Sequence, residues 1–338
     1  MIFLFNENKP EKLKMKKKIA IAMGGYSSEY HISINSGNMV YKHLDREIYE
    51  PYRVHILQKG WFVIDESDNP YPINKNNFTV KIGEKTISFD CVFNTIHGTP
   101  GENGLLQAYL ELVGIPQTTC GYYQAALTFN KRDLISVLKA YGVKAATNYF
   151  LNKEDNINTT EIIDRVGLPC FVKANRAGSS FGITKVKKEE ELIPATKIAF
   201  KEDEEVIIES FLDGTEVSVG VITWKGKVRA LPVTEIISEN EFFDYEAKYL
   251  GKSKEITPAN ISEEDTKKVQ EIAKLIYSKL KMKGFTRSEF IFHKGEPYFI
   301  EMNTTPGLSQ ASILPQQAQA AKISLTDLYG SAVEAALR

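Results

Sequence analysis

The chain has 338 residues with a formal net charge of −1, 43% hydrophobic and 25% charged residues. That is enough for two or three domains with sizeable cores, and it lacks the strong basic field that gathers nucleic acid. No apolar run approaches the ~20 residues of a membrane span, and three scattered cysteines, Cys91, Cys120 and Cys170, lack metal spacing and point to a reducing cytoplasm.

Residues 1–15 are expected to be a disordered tail, with Met15 as an alternative start. Lys18–Met23 is a short apolar run ending in Gly24-Gly25, the pattern of a buried parallel strand feeding a loop. Glu29 and His31 follow, and then a helix through Val40 and Leu44. Glu29 favours the dipole of that helix from its first turn. Val54–Ile64 holds a strand and a Gly60-Trp61 turn, and the segment from Asp65 to Lys85 is expected to be loop-rich. Phe89–Ile96 is a further strand, ending at His97-Gly98-Thr99-Pro100-Gly101-Glu102-Asn103-Gly104. In open α/β sheets ligands sit at the carboxyl ends of strands, and Glu29 and His97 stand at two such ends. A structural hydrogen-bonder is the alternative role for His97.

Lys131 opens a helix containing Leu134, Val137 and Leu138. Lys173 ends the strand Cys170–Lys173 beside the loop Ala174–Gly182, which is rich in glycine and serine. A strand-end lysine next to such a loop can grip phosphate, with backbone amides as donors; the alternative is a surface turn beside an exposed lysine. Val206–Glu209 leads through Ser210, Leu212 and Gly214 to Glu216, after which Val217, Val219 and Val221 alternate with Glu216, Ser218 and Gly220. Residues 242–249 (FFDYEAKY) lack periodicity and read as a loop. Ser262 caps an acidic first turn, and Val269, Ile272, Ile276 and Leu280 recur at helical spacing, with Gly284 closing the helix.

Two aromatic-rich runs, Phe290–Phe292 and Tyr298–Ile300, flank Lys294-Gly295-Glu296 as an antiparallel hairpin. Pairing symmetric about Gly295 sets Glu289 against Glu301 and Arg287 against Asn303, all on one face. Opposed carboxylates repel unless a cation sits between them, and two Glu with one Asn suit Mg²⁺. The alternatives are a solvated charged face, or a loop one residue shorter that turns Glu289 away. Asn303-Thr304-Thr305-Pro306-Gly307 follows as a polar turn whose amides can point at an anion.

Glu301-Met302-Asn303-Thr304-Thr305-Pro306-Gly307 resembles the metal-binding segment of ATP-grasp ligases, and with residues 244–249 (DYEAKY) is similar to the D-alanine–D-alanine ligase family. The likeness runs from residue 16 to 338 with its motifs in order. It departs at Glu289, where the family usually has Asp. The resemblance implies an α/β, three-domain ATP-grasp architecture: a parallel-sheet domain over 16–118, a central domain with a phosphate-binding lid over 119–213, and a domain with the metal and substrate site over 214–338. The last two would clasp ATP between their sheets.

The resemblance also implies the site. Glu29 holds the first substrate's ammonium, and His97 belongs to the substrate site. Ser179, Tyr249 and Glu29 form a hydrogen-bonded set that closes two loops and excludes water from an acyl phosphate. Lys131, Lys173 and Lys248 hold phosphates, and Ser180 belongs to the ATP site. Glu209, Ser210 and Leu212 belong to the ATP site, with backbone groups near Ser210 and Leu212 on the adenine edge and Glu216 on the ribose. Glu289, Glu301 and Asn303 ligate two Mg²⁺ ions, which Mn²⁺ can replace. Arg287 and the Gly307 amide stabilise the oxyanion, and Ser312 with the Ile313 backbone holds the second substrate's carboxylate; capping of a helix by Ser312 is the competing reading. Implied partners are ATP and D-alanine, no nucleic acid and no membrane, in a cytoplasmic homodimer. Ester-forming relatives carry Phe where Tyr249 stands, so the resemblance implies peptide formation. A D-serine or D-lactate acceptor, and a regulatory ATP-binder without turnover, are the rival readings.

Overall fold

The computed structural model describes residues 15–178, 182–238 and 253–338. Three sheets organise them. The first has the order β6-β5-β4-β3-β2-β1-β7, in which β1 (Lys17–Gly24) runs parallel to β2 (Tyr49–Leu57) and to β7 (Cys91–Asn94). The remaining pairs are antiparallel, so the sheet is mixed where a parallel one was expected. The segment expected to be loop-rich instead forms β4 (Pro70–Asn74), β5 (Thr79–Ile82) and β6 (Lys85–Ile87), continuing outward from β3 (Gly60–Ile64). Ile73, Phe78 and Val80 are buried there among polar neighbours, a sparse pattern that is easily mistaken for loop. Gly60 and Trp61 open β3, and the turn precedes them.

Helix α1 (Tyr30–His43) follows β1, and α2 (Leu105–Leu112), α3 (Tyr122–Phe129) and α4 (Lys131–Ala140) lead out of the first sheet. The second sheet, β10-β9-β11-β8, is antiparallel. Its strands are β8 (Asn148–Asn152), β9 (Cys170–Ala174), β10 (Thr184–Val186) and β11 (Glu205–Ser210), covered by α5 (Thr159–Val166) and α6 (Leu192–Ala199). No helix among the described residues is long and apolar enough to cross a membrane.

The third sheet runs β15-β14-β12-β16-β17, with β13 (Lys227–Ala230) folded back on β12. Its strands are β12 (Gly214–Trp224), β14 (Thr234–Ser238), β15 (Ser253–Ile256), β16 (Thr286–His293) and β17 (Glu296–Asn303). One face buries Val217, Val219, Val221, Phe290, Phe299 and Met302 against Val269, Ile276 and Tyr277 of α7 (Glu263–Lys279). Ser262 caps α7 by accepting from Asp265 N, as the sequence predicts, but the helix ends at Lys279, before Gly284. Strand alternation sends Glu216, Ser218, Arg287, Glu289, Glu301 and Asn303 to the opposite face.

The hairpin reaches that outcome by an unexpected route. Lys294 and Gly295 both have positive φ, 52° and 77°, as a two-residue type I′ turn requires. The turn is therefore one residue shorter than symmetry about Gly295 assumes, and His293 pairs with Glu296 and Phe290 with Phe299. A bulge between Glu289 and Phe290 then absorbs one extra residue on β17. Beyond it Glu289 faces Glu301 and Arg287 faces Asn303, which is the expected register at the positions that matter.

Helices α8 (Ile313–Ala320) and α9 (Leu325–Ala336) carry the chain back onto the first sheet, where Leu314, Leu328, Tyr329 and Val333 share a core with Ile19, Ile21, Met23 and Phe93. Thr305 Oγ1 donates to Ile96 O at 3.0 Å and Leu308 N donates to Ser36 Oγ at 3.1 Å. These bonds fix the Pro-Gly turn of the third sheet over the strand ends of the first.

Candidate active site

A cavity of about 380 Å³ opens where the three sheets meet. It brings together Glu29 and His97 from the first sheet's loops, Lys131 from α4, and Arg287, Glu301, Asn303, Gly307, Ser312 and Ile313 from the C-terminal third. Glu29 is the residue before α1, with no side-chain cap bond to the helix, so its carboxylate projects into the cavity instead. A Cβ on Gly178 would stand 2.9 Å from Glu29 Oε2, so the loop after β9 approaches this carboxylate closely and a side chain there would displace it.

Lys131 Nζ donates to Ala177 O at 2.8 Å and lies 3.8 Å from Glu301 Oε2. The lysine thus ties the start of the glycine loop to the carboxylate face. Arg176 pairs with Asp203 at 2.7 Å and Asn175 Nδ2 donates to Glu205 Oε2 at 2.7 Å, anchoring the same loop start to β11 and its approach.

Lys173 and Glu209 sit on β9 and β11 of the second sheet, outside the cavity lining. Their ion pair, at 2.7 Å, leaves the side chains 13% and 5% exposed. Burial works against the Lys173 ammonium, but the Glu209 carboxylate, with Glu301 and Glu216 further off, holds its pKa above the ordinary value. Lys173 therefore faces the third sheet with its charge intact. Ser210 closes β11, its amide donating to Thr147 O at 2.8 Å, and Leu212 is buried. Glu216 lies near the start of β12. Ser210, Leu212 and Glu216 are not in the cavity lining.

Glu289 is 2% exposed and does not reach the cavity wall. Arg287 NH2 lies 2.9 Å from its Oε1. Among the described residues no three His, Cys, Asp or Glu side chains form a metal-holding group; the candidate metal set is two carboxylates and an amide. Asn303 Nδ2 is buried without a hydrogen-bond partner. Hard oxygen donors in this number suit a divalent ion that keeps waters and bridges phosphates, and the cations now beside them, Arg287 and Lys131, mark where positive charge is favoured. The residues fit such an ion.

Ser312 precedes α8 but makes no side-chain cap bond; its Oγ pairs with Ser309 Oγ at 2.8 Å. The side chain does not cap the helix, and Ser312 and Ile313 at the start of α8 line the cavity, where a helix N-terminus favours a carboxylate. Ser179, Ser180, Lys248 and Tyr249 lie outside the described residues.

Two cavity carboxylates were not singled out from the sequence. Glu102 stands in the loop after His97, accepts from Gly98 N at 2.7 Å and lines the cavity with Thr305 of the third sheet's turn. Burial, then repulsion from Glu29, pushes its pKa up to about 7. His97 moves the other way: burial lowers its pKa, Glu29 opposing and Arg287 assisting, and its Nε2 is buried without a partner. The second is Glu255 on β15, which no local motif marks.

Glu102 gives a signed pH effect. The folded protein keeps this proton to about pH 7, whereas an ordinary glutamate, at 4.5, has released it. The folded state binds more protons between these values, so its stability falls as pH rises through that window. Replacing Glu102 with Gln removes the effect: between pH 5 and pH 8 the Tm of Glu102→Gln should fall less than that of the parent. Parallel Tm curves would refute this assignment.

A lysine at a strand end and the start of a glycine loop on one sheet, facing a carboxylate–amide surface on the next, are the arrangement of an ATP-grasp ligase. The chain matches two families, D-ala D-ala ligase N-terminus over residues 18–120 and D-ala D-ala ligase C-terminus over residues 137–334. It is 80% identical to the D-alanine–D-alanine ligase of Christiangramia forsetii, over 96% of this chain and 99% of that protein. Among solved structures it resembles the D-alanyl-alanine synthetase A of Vibrio cholerae, with a TM-score of 0.86 and 28% identity over 95% and 98% of the two chains. The D-Ala:D-Ser ligase of Enterococcus faecalis gives a TM-score of 0.84 and 30% identity over 95% and 99%. The chain belongs to the D-alanine–D-alanine ligase family.

Proposed function

We propose that the chain is an ATP-dependent ligase that joins two D-alanine molecules through an acyl phosphate, supplying a peptidoglycan precursor. The observation that carries this is the single cavity in which Glu29 and His97 meet Lys131, Arg287, Glu301 and Gly307. Glu29 receives the ammonium of the donor D-alanine, with His97 beside it. Lys131, Lys173 and Lys248 hold ATP phosphates, Ser180 belongs to the ATP site, and the adenosine is held by Glu209, Ser210, Leu212 and Glu216. The donor carboxylate takes the γ-phosphoryl group, and the amine of the second D-alanine displaces phosphate from the acyl carbon. Arg287 and the Gly307 amide stabilise the oxyanion formed in that attack. Ser312 and the Ile313 backbone hold the acceptor carboxylate at the start of α8.

Glu289, Glu301 and Asn303 would hold Mg²⁺, with Mn²⁺ as a substitute; bound there, such ions neutralise phosphate charge. Ser179 and Tyr249 join Glu29 in excluding water from the acyl phosphate. The same reading divides the chain at about residues 118 and 213 and makes the enzyme a cytoplasmic homodimer. D-Alanine rather than D-serine as acceptor is supported by the relative at 80% identity, and Tyr249 favours an amine over D-lactate. Arg287, Glu301 and Asn303 on one cavity wall argue against a binder without turnover.

The test is phosphate release from ATP and Mg²⁺ with D-alanine, L-alanine or neither, with chromatography of the product. Release with D-alanine alone, accompanied by dipeptide, is expected. Well-folded, ATP-binding protein that releases no phosphate with D-alanine would overturn the proposal.

A further inference from the structure

Glu255 has no part in the chemistry derived above, yet it lines the cavity with Arg287, Gly307, Ser309, Ala311 and Ser312. Its place is set by the fold. It pairs with Ile236 across β15 and β14, and Ile236 packs on Ile313 at the start of α8. Glu255 therefore shares the face that looks onto the helix N-terminus. Gln316, in the first turns of α8, donates through Nε2 to Glu255 Oε2 at 3.1 Å and to Ala311 O at 2.7 Å. The side chain is thus held against the half of the cavity that receives the acceptor.

Its surroundings leave that half negative. Burial raises the Glu255 pKa, while Arg287 and the Gln316 bond oppose the rise. Arg287 is already engaged with Glu289 at 2.9 Å, so one guanidinium serves two carboxylates. Glu29 adds a further carboxylate across the cavity. An acceptor brings an ammonium, which this field attracts, and an α-carboxylate, which the amides of α8 receive. Among the described residues the other cation of the lining, Lys131, is held at Ala177 O and lies 3.8 Å from Glu301, so a second anionic group on the acceptor would face carboxylates.

We propose that Glu255 is a specificity-determining residue of the acceptor half-site, excluding D-amino acids whose side chains carry negative charge. The inference rests on the ligase reading above and extends it to the class of acceptor admitted. Like charge acts here through a partly dehydrated pocket, where it is weakly screened. Selectivity of this kind comes from repulsion of the wrong partner rather than from added contacts with the right one.

D-Asparagine and D-aspartate have the same shape and differ in charge, so they separate charge from size. Each is offered as acceptor in competition, with D-alanine as donor, and the two mixed dipeptides are quantified by mass spectrometry. The ratio of D-asparagine to D-aspartate product should fall at least about tenfold, equivalent to about 1.4 kcal/mol, in Glu255→Gln and in Glu255→Ala. Because the ratio is internal to each protein, a change in overall rate does not affect it, and an ATP-dependent thermal shift verifies that each variant folds. An unchanged ratio, or rejection of both acceptors by parent and variants alike, overturns the proposal. D-Alanyl-D-alanine is measured in the same reactions: its formation by the parent with an unchanged ratio removes only the role of Glu255, whereas its absence removes the ligase reading itself.

Discussion

Arg287→Ala should lower kcat by roughly 10²–10³-fold, the range for removing one preorganised oxyanion donor, and should also destabilise the fold. The two losses have separate causes. The first follows from its place on the cavity wall with Gly307. The second follows from Glu289, whose side chain is 3% exposed and lies 2.9 Å from the guanidinium. Removing Arg287 takes the guanidinium away from a buried carboxylate, at a cost of up to about 3–5 kcal/mol. Mg²⁺ should therefore raise the Tm of the variant more than that of the parent, because a cation that binds only the folded site compensates for the missing charge. Steady-state kinetics and thermal melts with and without Mg²⁺ test both parts. A variant within tenfold of the parent kcat would remove Arg287 from the chemistry.

Lys173→Met keeps the length of the side chain and deletes its charge. The ion pair with Glu209 is almost dehydrated, so the expected loss of stability is again about 3–5 kcal/mol. A charged hydrogen bond to a phosphate contributes about 1.5–3 kcal/mol, so the KM for ATP should rise about 10- to 100-fold. The double variant Lys173→Met, Glu209→Gln separates the effects: it no longer buries an unpaired carboxylate and should regain much of the stability, while the weak ATP binding persists. If the double variant binds ATP as tightly as the parent, Lys173 is structural and holds no phosphate.

Much of this site was legible in the sequence because its residues sit in short local patterns. Lys173 ends a recognisable strand, Lys131 opens a recognisable helix, and Glu289 and Glu301 flank a recognisable hairpin. What the sequence could not reveal depends on contacts between distant segments. Glu102 lies inside the stretch that points to His97, but its half-buried place in the cavity wall depends on the third sheet's turn, some two hundred residues on. Glu255 stands on a four-residue strand and acquires meaning from α8, which follows it by more than fifty residues. The outer strands of the first sheet bury few of their residues, so their sequence carries a loop-like pattern. The mixed character of that sheet begins at the antiparallel β2–β3 pair and continues through the same strands.

The facing of Glu289 and Glu301 depends on two departures from symmetry that cancel. The tight turn shifts the pairing by one position, and the extra residue on β17 shifts it back. Either alone rotates half the hairpin by one pleat and exchanges its inner and outer side chains. The turn and the bulge are therefore a suppressor pair in the genetic sense. Inserting one residue after Gly295 and deleting Ile300 are each ruinous to the carboxylate face, yet together they restore it. Length variation in this hairpin is thus constrained by parity, and the bulge accompanies the two-residue turn because the site requires both.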